Sequence, residues 1–297
     1  MKIIKEIRPP QLLISQVACL GYFDGLHLGH QKLIAKTLAL ATKNQQESLF
    51  LTFSQAPKKV ITKQYFDELM TLQEKKLLIK QYGFNNMVIF PFNETTKQWS
   101  ADDFIKYLQG LNITTIVIGK DFRFGFKGVG SYLALQKYFQ VILIDDVIIN
   151  GQKVSSSLIR SLLKHHQLEQ ANNLLTRKYK ISSSVMHGKE IGRLINFPTA
   201  NLHLDNNYNL LPQGVYITHV KYQNKIYRAI SCIFITDGVL KCESYLFDFN
   251  EMIYGKKIEV LFLKYLRNNV PIKSLEHLKQ LITNDKNKAL EYFHKIS

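Results

Sequence analysis

The first half of the chain alternates short apolar runs with amphipathic segments, and this alternation restricts the possible folds more than any other feature. The apolar runs read VACLGYF, SLFLTF, NMVIFPF, TTIVIG and FQVILIDDV. Their length and composition predict buried strands, and helical connections between such strands imply right-handed crossovers in a mostly parallel sheet. We therefore expect an α/β domain with helices on both faces and with its ligands at the carboxyl ends of the strands.

Two of the connecting segments carry signals for helix ends. Thr71 and Glu74 have the spacing of a capping box, and Gly83 stands where it would end the helix. The segment from Ser100 to Gly110 repeats this plan. Both segments are therefore predicted to be helices between successive strands.

After about residue 180 the helical periodicity gives way to short β-rich runs separated by turn signals. These runs read GVYITHV, IYRAISCIFI, CESYLFDF and KIEVLFLKYL. Such a pattern is typical of an antiparallel, barrel-like sheet, and the apolar spacing of the last segment predicts one helix, or a helix pair, packed on the barrel. We place the domain boundary near residue 180, which gives domains of residues 1–180 and 181–297.

Bulk properties limit the compartment and the partners. The first residues lack the apolar run of a signal peptide, and no later stretch approaches the roughly 20 apolar residues that cross a bilayer, so we expect a cytoplasmic protein with no membrane partner. Cys19, Cys232 and Cys242 are scattered and form no CxxC pair, which predicts buried apolar side chains. The formal net charge of +16 favours polyanions, and nucleic acid, anionic membranes and nucleotide phosphates all qualify.

The strongest chemical pattern is GYFDGLHLGH, residues 21–30, which follows the first strand and precedes a helix. His27 and His30 are three residues apart, so they share a face near the amino end of that helix. Free backbone N–H groups and the helix dipole attract phosphate there, and two imidazoles add donors for a triphosphate. Gly21, Gly25 and Gly29 would let the backbone turn tightly and approach the ligand. Nucleotidyl transfer suits such a site, because it needs positioning and charge stabilisation but no protein nucleophile.

These residues resemble the nucleotidyltransferase superfamily with a His-x-Gly-His signature, which also includes class I aminoacyl-tRNA synthetases. Two further segments, IGKDFRFGFKGVGSYLAL from Ile118 and VSSSLIRSLL from Val154, look like the second and third motifs of bacterial bifunctional riboflavin kinase and FAD synthetases. The resemblance implies a Rossmann-like nucleotidyltransferase domain, an FMN adenylyltransferase, followed by an antiparallel β-barrel riboflavin kinase domain with a C-terminal helix. Its nucleotide-binding residues in the first domain would be Gly21, Phe23, Asp24, Gly25, Gly29, Asp121, Ser155, Ser156 and Arg160.

The same resemblance implies roles for these residues. Ser155, Ser156 and Arg160 would bind the ATP phosphates, with Arg160 as a charge-assisted donor opposite the histidines. Asp121 and the segment FRFGFKG would help to shape the flavin and nucleotide pocket. Taken without the family, DFRFGFKG could be a turn between strands, and Ser155 could be an ordinary helix N-cap.

A second chemical pattern, HGKEIGRLINFPTANL at residues 187–202, resembles the signature of riboflavin kinases. Gly188 and Gly192 would allow a flexible loop that approaches phosphate. Lys189 and Arg193 would supply positive charge to the nucleotide. The pattern therefore predicts a second ATP site in the second domain.

The same segment also suggests a metal site and a base. Thr199 and Asn201 alternate along an extended stretch, so their side-chain oxygens can point at one cation, and oxygen ligands completed by water and ATP phosphates suit Mg²⁺. Downstream, Glu243 lies on a predicted strand. By the resemblance, Glu243 would be the base that takes the proton of the ribityl 5′-hydroxyl as it attacks the γ-phosphate.

We expect an enzyme that converts riboflavin to FMN with ATP and Mg²⁺ and then adenylates FMN to FAD. One alternative keeps the adenylyltransferase but makes the barrel a degenerate flavin-binding module, because the stretch between Arg228 and Glu243 lacks the usual Arg-Pro-Thr-Phe segment. A third hypothesis, from another class, is an RNA-binding protein with salt-sensitive affinity. The expected partners are small molecules, with no specific nucleic acid, and the expected state is a monomer or weak oligomer.

Overall fold

The computed structural model describes residues 1–8, 11–188, 190–204 and 210–296. The chain forms two compact units, Met1–Ser156 and Ser157–Ser297. Among the described residues, no helix has both the length and the apolar character that a bilayer-spanning helix needs.

The first unit is built on a six-stranded sheet. Its strands, with a two-stranded hairpin at the end, are β1 (Lys2–Ile4), β2 (Gln16–Leu20), β3 (Glu47–Phe53), β4 (Asn86–Phe90), β5 (Ile113–Gly119), β6 (Gln140–Ile144), β7 (Ile148–Ile149) and β8 (Gln152–Lys153). The sheet has the order β1-β4-β3-β2-β5-β6, and every pair in it is parallel. The predicted parallel sheet is confirmed.

Helices connect these strands. They are α1 (Leu28–Lys43), α2 (Pro57–Thr62), α3 (Leu72–Tyr82), α4 (Ala101–Gly110) and α5 (Tyr132–Leu135). The capping box of Thr71 and Glu74 is present at the start of α3, and Gly83 ends that helix in the left-handed conformation, as predicted. A second capping box, between Ser100 and Asp103, begins α4.

Alternate residues of each strand face opposite layers of helices. Val17 and Cys19 of β2 pack in a cluster with α1 and α3, whereas Ala18 and Leu20 pack in a cluster with α4. This alternation follows from the two-residue period of a strand. Both faces of the sheet are therefore covered, as expected for parallel strands.

Strand order also defines where a ligand can bind. The chain runs outward from β2 through β3 to β4 and then crosses to β5, on the other side of β2. The connections after β2 and β5 thus leave in opposite directions and open a crevice at the carboxyl ends of these two strands. The Gly21–His27 segment follows β2, and Asp121 follows β5.

The second unit is a closed barrel with helices beside it. Its strands are β9 (Tyr179–Met186), β10 (Ala200–His203), β11 (Gly214–Tyr222), β12 (Lys225–Thr236), β13 (Val239–Leu246) and β14 (Lys257–Arg267). Its helices are α6 (Ser156–Lys164), α7 (Leu168–Leu175), α8 (Ile191–Leu194) and α9 (Leu275–Ile296). The barrel order is β10-β13-β12-β11-β14-β9 with antiparallel pairs, which confirms the predicted barrel, and the last segment is one helix.

The short stretch before Glu243 forms a tight hairpin. β12 and β13 are joined by Asp237 and Gly238, whose φ angles are 52° and 71°. Two successive positive φ values are the signature of a two-residue hairpin turn whose twist matches the strands. The chain therefore connects β12 to β13 with a two-residue turn.

Candidate functional sites

The first site begins where β2 ends. Its loop runs from Gly21 to His27, and His27 is the N-cap residue of α1 with extended backbone angles. The ring of His27 stacks on that of His30, with centroids 3.7 Å apart and planes 20° apart. The imidazoles thus form one unit at the amino end of α1, where the helix dipole favours an anion.

Gly29 makes this stacking possible. A Cβ atom at position 29 would lie 3.2 Å from Cε1 and 3.3 Å from Nδ1 of His27. Such contacts are tighter than side chains normally make, so any larger residue would press on the ring. The His27 side chain is only 5% exposed, which leaves it little room to move.

The loop itself is held in an uncommon conformation. Phe23 and Leu26 have φ values of 55° and 46°, in the left-handed region that costs non-glycine residues about 1–3 kcal/mol, and Gly25 has φ 81°. The buried Phe23 ring meets the edge of His30, with centroids 5.2 Å apart, and packs on Phe50. Surrounding packing therefore compensates for the backbone strain beside the histidines.

Asp24 ties the loop to two other segments. One of its carboxylate oxygens, Oδ1, accepts a hydrogen bond of 2.9 Å from the backbone N–H of Leu69, and its backbone carbonyl accepts one of 2.8 Å from Oγ of Ser156. Ser156 is the first residue of α6. The structure thus brings the start of the third motif beside the first one. Ser155 immediately precedes α6, and Arg160 lies on it.

Asp121 is exposed and forms an ion pair at the end of β5. It lies 3.0 Å from Nζ of Lys153, which also contacts Asp146 at 2.9 Å. Hydrogen bonds to Asp146 and Asp121 raise the pKa of Lys153. The segment DFRFGFKG is a turn closed by paired hydrogen bonds between Phe124 and Gly130. The predicted turn is therefore present, and Asp121, the predicted pocket residue, begins it.

Aromatic rings of Phe53, Phe92 and Phe122, which we call the aromatic shelf, end or follow strands at the same edge of the sheet; Phe122 belongs to the predicted pocket segment FRFGFKG, whereas Phe53 and Phe92 were not predicted. Phe53 is the last residue of β3, and Phe92 follows the end of β4; their ring centroids are 5.6 Å apart. Phe122 follows β5, and its ring lies 6.0 Å from that of Phe124. Phe53, Phe92 and Phe122 are partly buried and pack on the core below. Phe53 ends a strand, but Phe92 and Phe122 lie in the loops after strands, so no local signal marked these rings as one surface.

The second site is a cavity of about 470 Å³ in the barrel unit. Polar residues from the segment 187–202, from the barrel and its loops and from α9 line it together with apolar residues. The polar residues are His187, Glu190, Thr199, Asn201, His203, Ser231, Thr236, Lys241, Glu243, Arg267, Asn269 and Asp285. The size and the mixed lining suit a small organic ligand with a polar end.

Asn201 and Glu243 are brought together by strand pairing. They are opposite residues of β10 and β13. Burial raises the pKa of Glu243, although Lys241 opposes this shift. Nδ2 of Asn201 lies 3.4 Å from the carbonyl oxygen of Thr199. Thr199, Asn201 and Glu243 thus place oxygen atoms on one wall of the cavity.

Gly188 and Gly192 serve close packing in this structure. A Cβ atom at Gly188 would lie 2.6 Å from Cγ of Asn201, and one at Gly192 would lie 2.2 Å from the carbonyl oxygen of Phe197. Both distances are too short for a real Cβ atom: the Phe197 backbone makes glycine necessary at position 192, whereas a side chain at position 188 would displace the Asn201 side chain. Gly188 therefore fixes the space that the Asn201 side chain occupies.

Arg193, which was predicted to supply positive charge to the nucleotide, forms a hydrogen-bonded ion pair with a neighbouring carboxylate. Its Nη1 donates to Oε2 of Glu190 at 3.2 Å, and Oε1 of Glu190 accepts a hydrogen bond from the Tyr254 hydroxyl at 2.9 Å. The hydrogen bond from Tyr254 lowers the pKa of Glu190, and so does the charge of Arg193. Lys189, the other predicted cation, lies outside the described residues.

Thr199 and Asn201 could hold a hard cation only if water and substrate phosphates supplied the remaining ligands. Among the residues that the structure describes, no group of three or more His, Cys, Asp or Glu side chains could hold a metal ion. Hydroxyl and amide oxygens from Thr199 and Asn201 are ligands that Mg²⁺ accepts when waters and phosphates complete its shell. The residues fit a nucleotide-bound Mg²⁺ better than a permanent metal centre.

Comparisons with known proteins match both halves of the chain. A model of the FAD synthetase family matches residues 10–158, and a model of the riboflavin kinase family matches residues 175–293. A bifunctional riboflavin kinase/FMN adenylyltransferase of Buchnera aphidicola is 36% identical, over 99% of this chain and 99% of its own. The protein of the same description from Bacillus subtilis is 32% identical, over 99% and 98% of the two chains.

A solved structure resembles the whole chain. It is described as a macrolide-efflux protein from Streptococcus pneumoniae and has 28% sequence identity and a TM-score of 0.88. The match covers 97% of this chain and 98% of that one. The similarity therefore extends over both units.

Proposed function

Since the chain belongs to the bacterial bifunctional riboflavin kinase/FMN adenylyltransferase family, we propose that its two sites divide the two reactions of that family. The enzyme phosphorylates riboflavin to FMN with ATP, and it adenylates FMN to FAD with release of pyrophosphate. Both family models match, and relatives with this description align over the full chain, which favours two reactions over an adenylyltransferase with a degenerate kinase module. We keep the functional boundary near residue 180.

The first site performs the adenylation. A phosphate oxygen of FMN attacks the α-phosphorus of ATP, the bond from the α-phosphorus to the bridging oxygen of the β-phosphate breaks, and pyrophosphate leaves. His27 and His30 donate hydrogen bonds to the phosphate oxygens as charge develops on them. Ser155, Ser156 and Arg160 bind the polyphosphate, and Gly21, Phe23, Asp24, Gly25 and Gly29 form the loop beside it. The observation that supports this role is the stacked pair of imidazoles at the amino end of a helix in the crevice between β2 and β5.

The flavin ring of FMN lies on the aromatic shelf. Phe53, Phe92 and Phe122 present partly buried rings at the same edge of the sheet as the histidines. Flat aromatic surfaces suit an isoalloxazine ring, which stacks on them and buries apolar area. Asp121 would contact the nucleotide.

The second site performs the phosphorylation. The ribityl 5′-hydroxyl attacks the γ-phosphorus of ATP, Glu243 accepts the hydroxyl proton, and ADP leaves. Thr199 and Asn201 would hold Mg²⁺, which neutralises charge on the phosphates when bound. Gly188, Lys189, Gly192 and Arg193 would bind the nucleotide. This role is supported by the raised pKa of Glu243 and by its position opposite Asn201 in the cavity.

The partners are the small molecules ATP, riboflavin, FMN and Mg²⁺, and we propose a cytoplasmic monomer or weak oligomer without a specific nucleic-acid partner. Chromatography of the reaction products tests the function. Riboflavin with ATP and Mg²⁺ should give FMN and then FAD, and supplied FMN should give FAD. Formation of FAD from FMN without any FMN from riboflavin would restore the degenerate-kinase alternative. An excess of EDTA over Mg²⁺ should stop FMN formation.

A further inference from the structure

A buried lysine lies behind the loop that carries the histidines. Lys75, on α3, is 2% exposed. Its Nζ lies 2.5 Å from the carbonyl oxygen of Tyr22 and 3.3 Å from Oγ1 of Thr52. Lysine is almost never this deeply buried unless its charge has partners. Here the main partner is a backbone carbonyl of the Gly21–His27 loop.

The Tyr22 carbonyl receives two donors at once. The hydroxyl of Thr52, at the end of β3, donates to it at 2.9 Å, in addition to the ammonium of Lys75. The orientation of this carbonyl fixes the peptide plane that joins Tyr22 to Phe23. Phe23 is the residue with φ 55°, and its ring meets the edge of the His30 ring. A direct chain of contacts thus runs from Lys75 to the stacked histidines.

The segment before α3 holds the next residue of the loop. The backbone N–H of Leu69 donates to Asp24, as described above, and the Tyr22 hydroxyl donates to Oε1 of Glu68 at 2.5 Å. Residues 68–75 therefore contact Tyr22 and Asp24 on either side of the strained Phe23. This arrangement restrains the strained residue from both directions.

We propose that Lys75 is a positioning residue for FMN adenylylation, acting through the Tyr22 carbonyl to hold Phe23 and thereby the His27–His30 pair in their reactive geometry. The proposal rests on the adenylyltransferase function of the first site. A displacement of about 1 Å in a catalytic group can lower a rate by about 100-fold, so a residue that never touches the substrate can matter this much.

The charges around Lys75 make this role depend on pH. Burial lowers the pKa of Lys75 to about 8, and the carboxylates of Asp24 and Glu68 partly oppose that shift. These two groups, from the loop after β2 and from the segment before α3, are the charges that face the ammonium, and the Tyr22 ring lies 4.2 Å from it. Above this pKa the lysine is neutral, and its hydrogen bond to the carbonyl becomes roughly half as strong.

Lys75→Met tests the proposal in the full-length enzyme, because it keeps much of the side-chain volume and removes the donor. We expect kcat for FAD formation from FMN to fall about 10- to 100-fold, with a smaller change in KM for ATP. FMN formation from riboflavin should stay within about twofold and serves as an internal control for folding. Lys80→Met, on the exposed side of the same helix, should leave both activities unchanged.

The activities of Lys75→Met and Lys80→Met distinguish a positioning role for Lys75 from a purely structural one. Unchanged FAD formation in Lys75→Met, or an equal loss of both activities in a folded protein, would overturn the proposal, since the lysine would then be dispensable or merely structural. Absence of FAD formation in the wild-type enzyme and in Lys80→Met would instead reject the adenylyltransferase function. If Lys75→Met does not fold, Lys75→Gln decides, because glutamine removes the ammonium but keeps a neutral donor: kcat for FAD formation should fall severalfold while FMN formation is unchanged, and unchanged FAD formation would overturn the proposal.

Discussion

Asn201 and Glu243 are direct partners across the antiparallel strands β10 and β13, and both line the same cavity. They are 42 residues apart in the chain, and the pairing of two strands brings the proposed metal ligand opposite the proposed base. In the proposed mechanism, the γ-phosphate and the attacking hydroxyl meet at this pair. Opposite residues of an antiparallel pair lie about 4.5–5.5 Å apart, which leaves room for a metal and a proton acceptor on one substrate.

We expect Glu243→Gln to lower kcat for riboflavin phosphorylation by about 100- to 10,000-fold, because glutamine cannot accept the hydroxyl proton. FAD formation from supplied FMN should not change, since the histidines lie in the other compact unit. Product chromatography with each substrate measures both rates. Glu276→Gln, an exposed carboxylate on α9, is the matched control. Normal FMN formation in Glu243→Gln would rule out the base.

The raised pKa of Glu243 predicts two effects of pH with defined signs. The kinase needs the carboxylate, so its kcat should rise as the pH increases through this raised pKa. The folded state favours the protonated form of Glu243. As the pH rises from the unfolded pKa of about 4.3 to the higher folded pKa, the wild-type protein therefore loses stability relative to Glu243→Gln. Thermal unfolding should show a larger Tm advantage for Glu243→Gln at about pH 8 than at about pH 4. A constant Tm difference would contradict the raised pKa.

His27→Ala should abolish most FAD formation while FMN formation continues, with a loss of about 100- to 1,000-fold in kcat, as for removal of one donor to a developing charge. The same variant leaves the cavity of the second unit untouched. A chromatographic time course from riboflavin should therefore stop at FMN. Loss of both activities would contradict separate sites, and intact adenylation after removal of both imidazoles would end the assignment.

Gly29→Ala should separate stability from activity. Alanine is the better helix former, so Tm should stay equal or rise slightly, whereas a Cβ atom 3.2 Å from the His27 ring should displace the imidazole. We expect FAD formation to fall about tenfold or more, with no change in FMN formation. Circular dichroism melting and the product assay provide the two measurements. Full adenylation in this variant would show that the His27 ring has room to move.

Local signals in the chain were sufficient for most of the architecture. The capping boxes at Thr71 and Ser100 depend on residues three positions apart, and the Asp237-Gly238 turn depends on two neighbours. Such interactions are short in range, so their residues can be identified without knowing the fold. The periodicities of the two halves likewise predicted the parallel sheet and the barrel, and both are confirmed.

The residues of the candidate sites were predicted only in part. His27 and His30 share a helix face by spacing alone, and the resemblance to a known family named Thr199, Asn201 and Glu243. The chain did not reveal the shelf of Phe53 and Phe92 or the contact of Lys75 with Tyr22. These contacts join elements that are distant in sequence, and an aromatic strand end or a helical lysine looks the same whether buried or exposed.

By itself, then, the sequence determined the parallel sheet, the barrel and the glycine-flanked histidines, because these follow from spacing and residue type, and its resemblance to a known family implied the class of both reactions. The tertiary structure alone decided which distant groups touch. The direction of each crossover placed Thr52 and Lys75 on one carbonyl, and barrel closure placed Glu243 opposite Asn201. Strand order and register depend on the packing of the whole chain, which no short segment encodes.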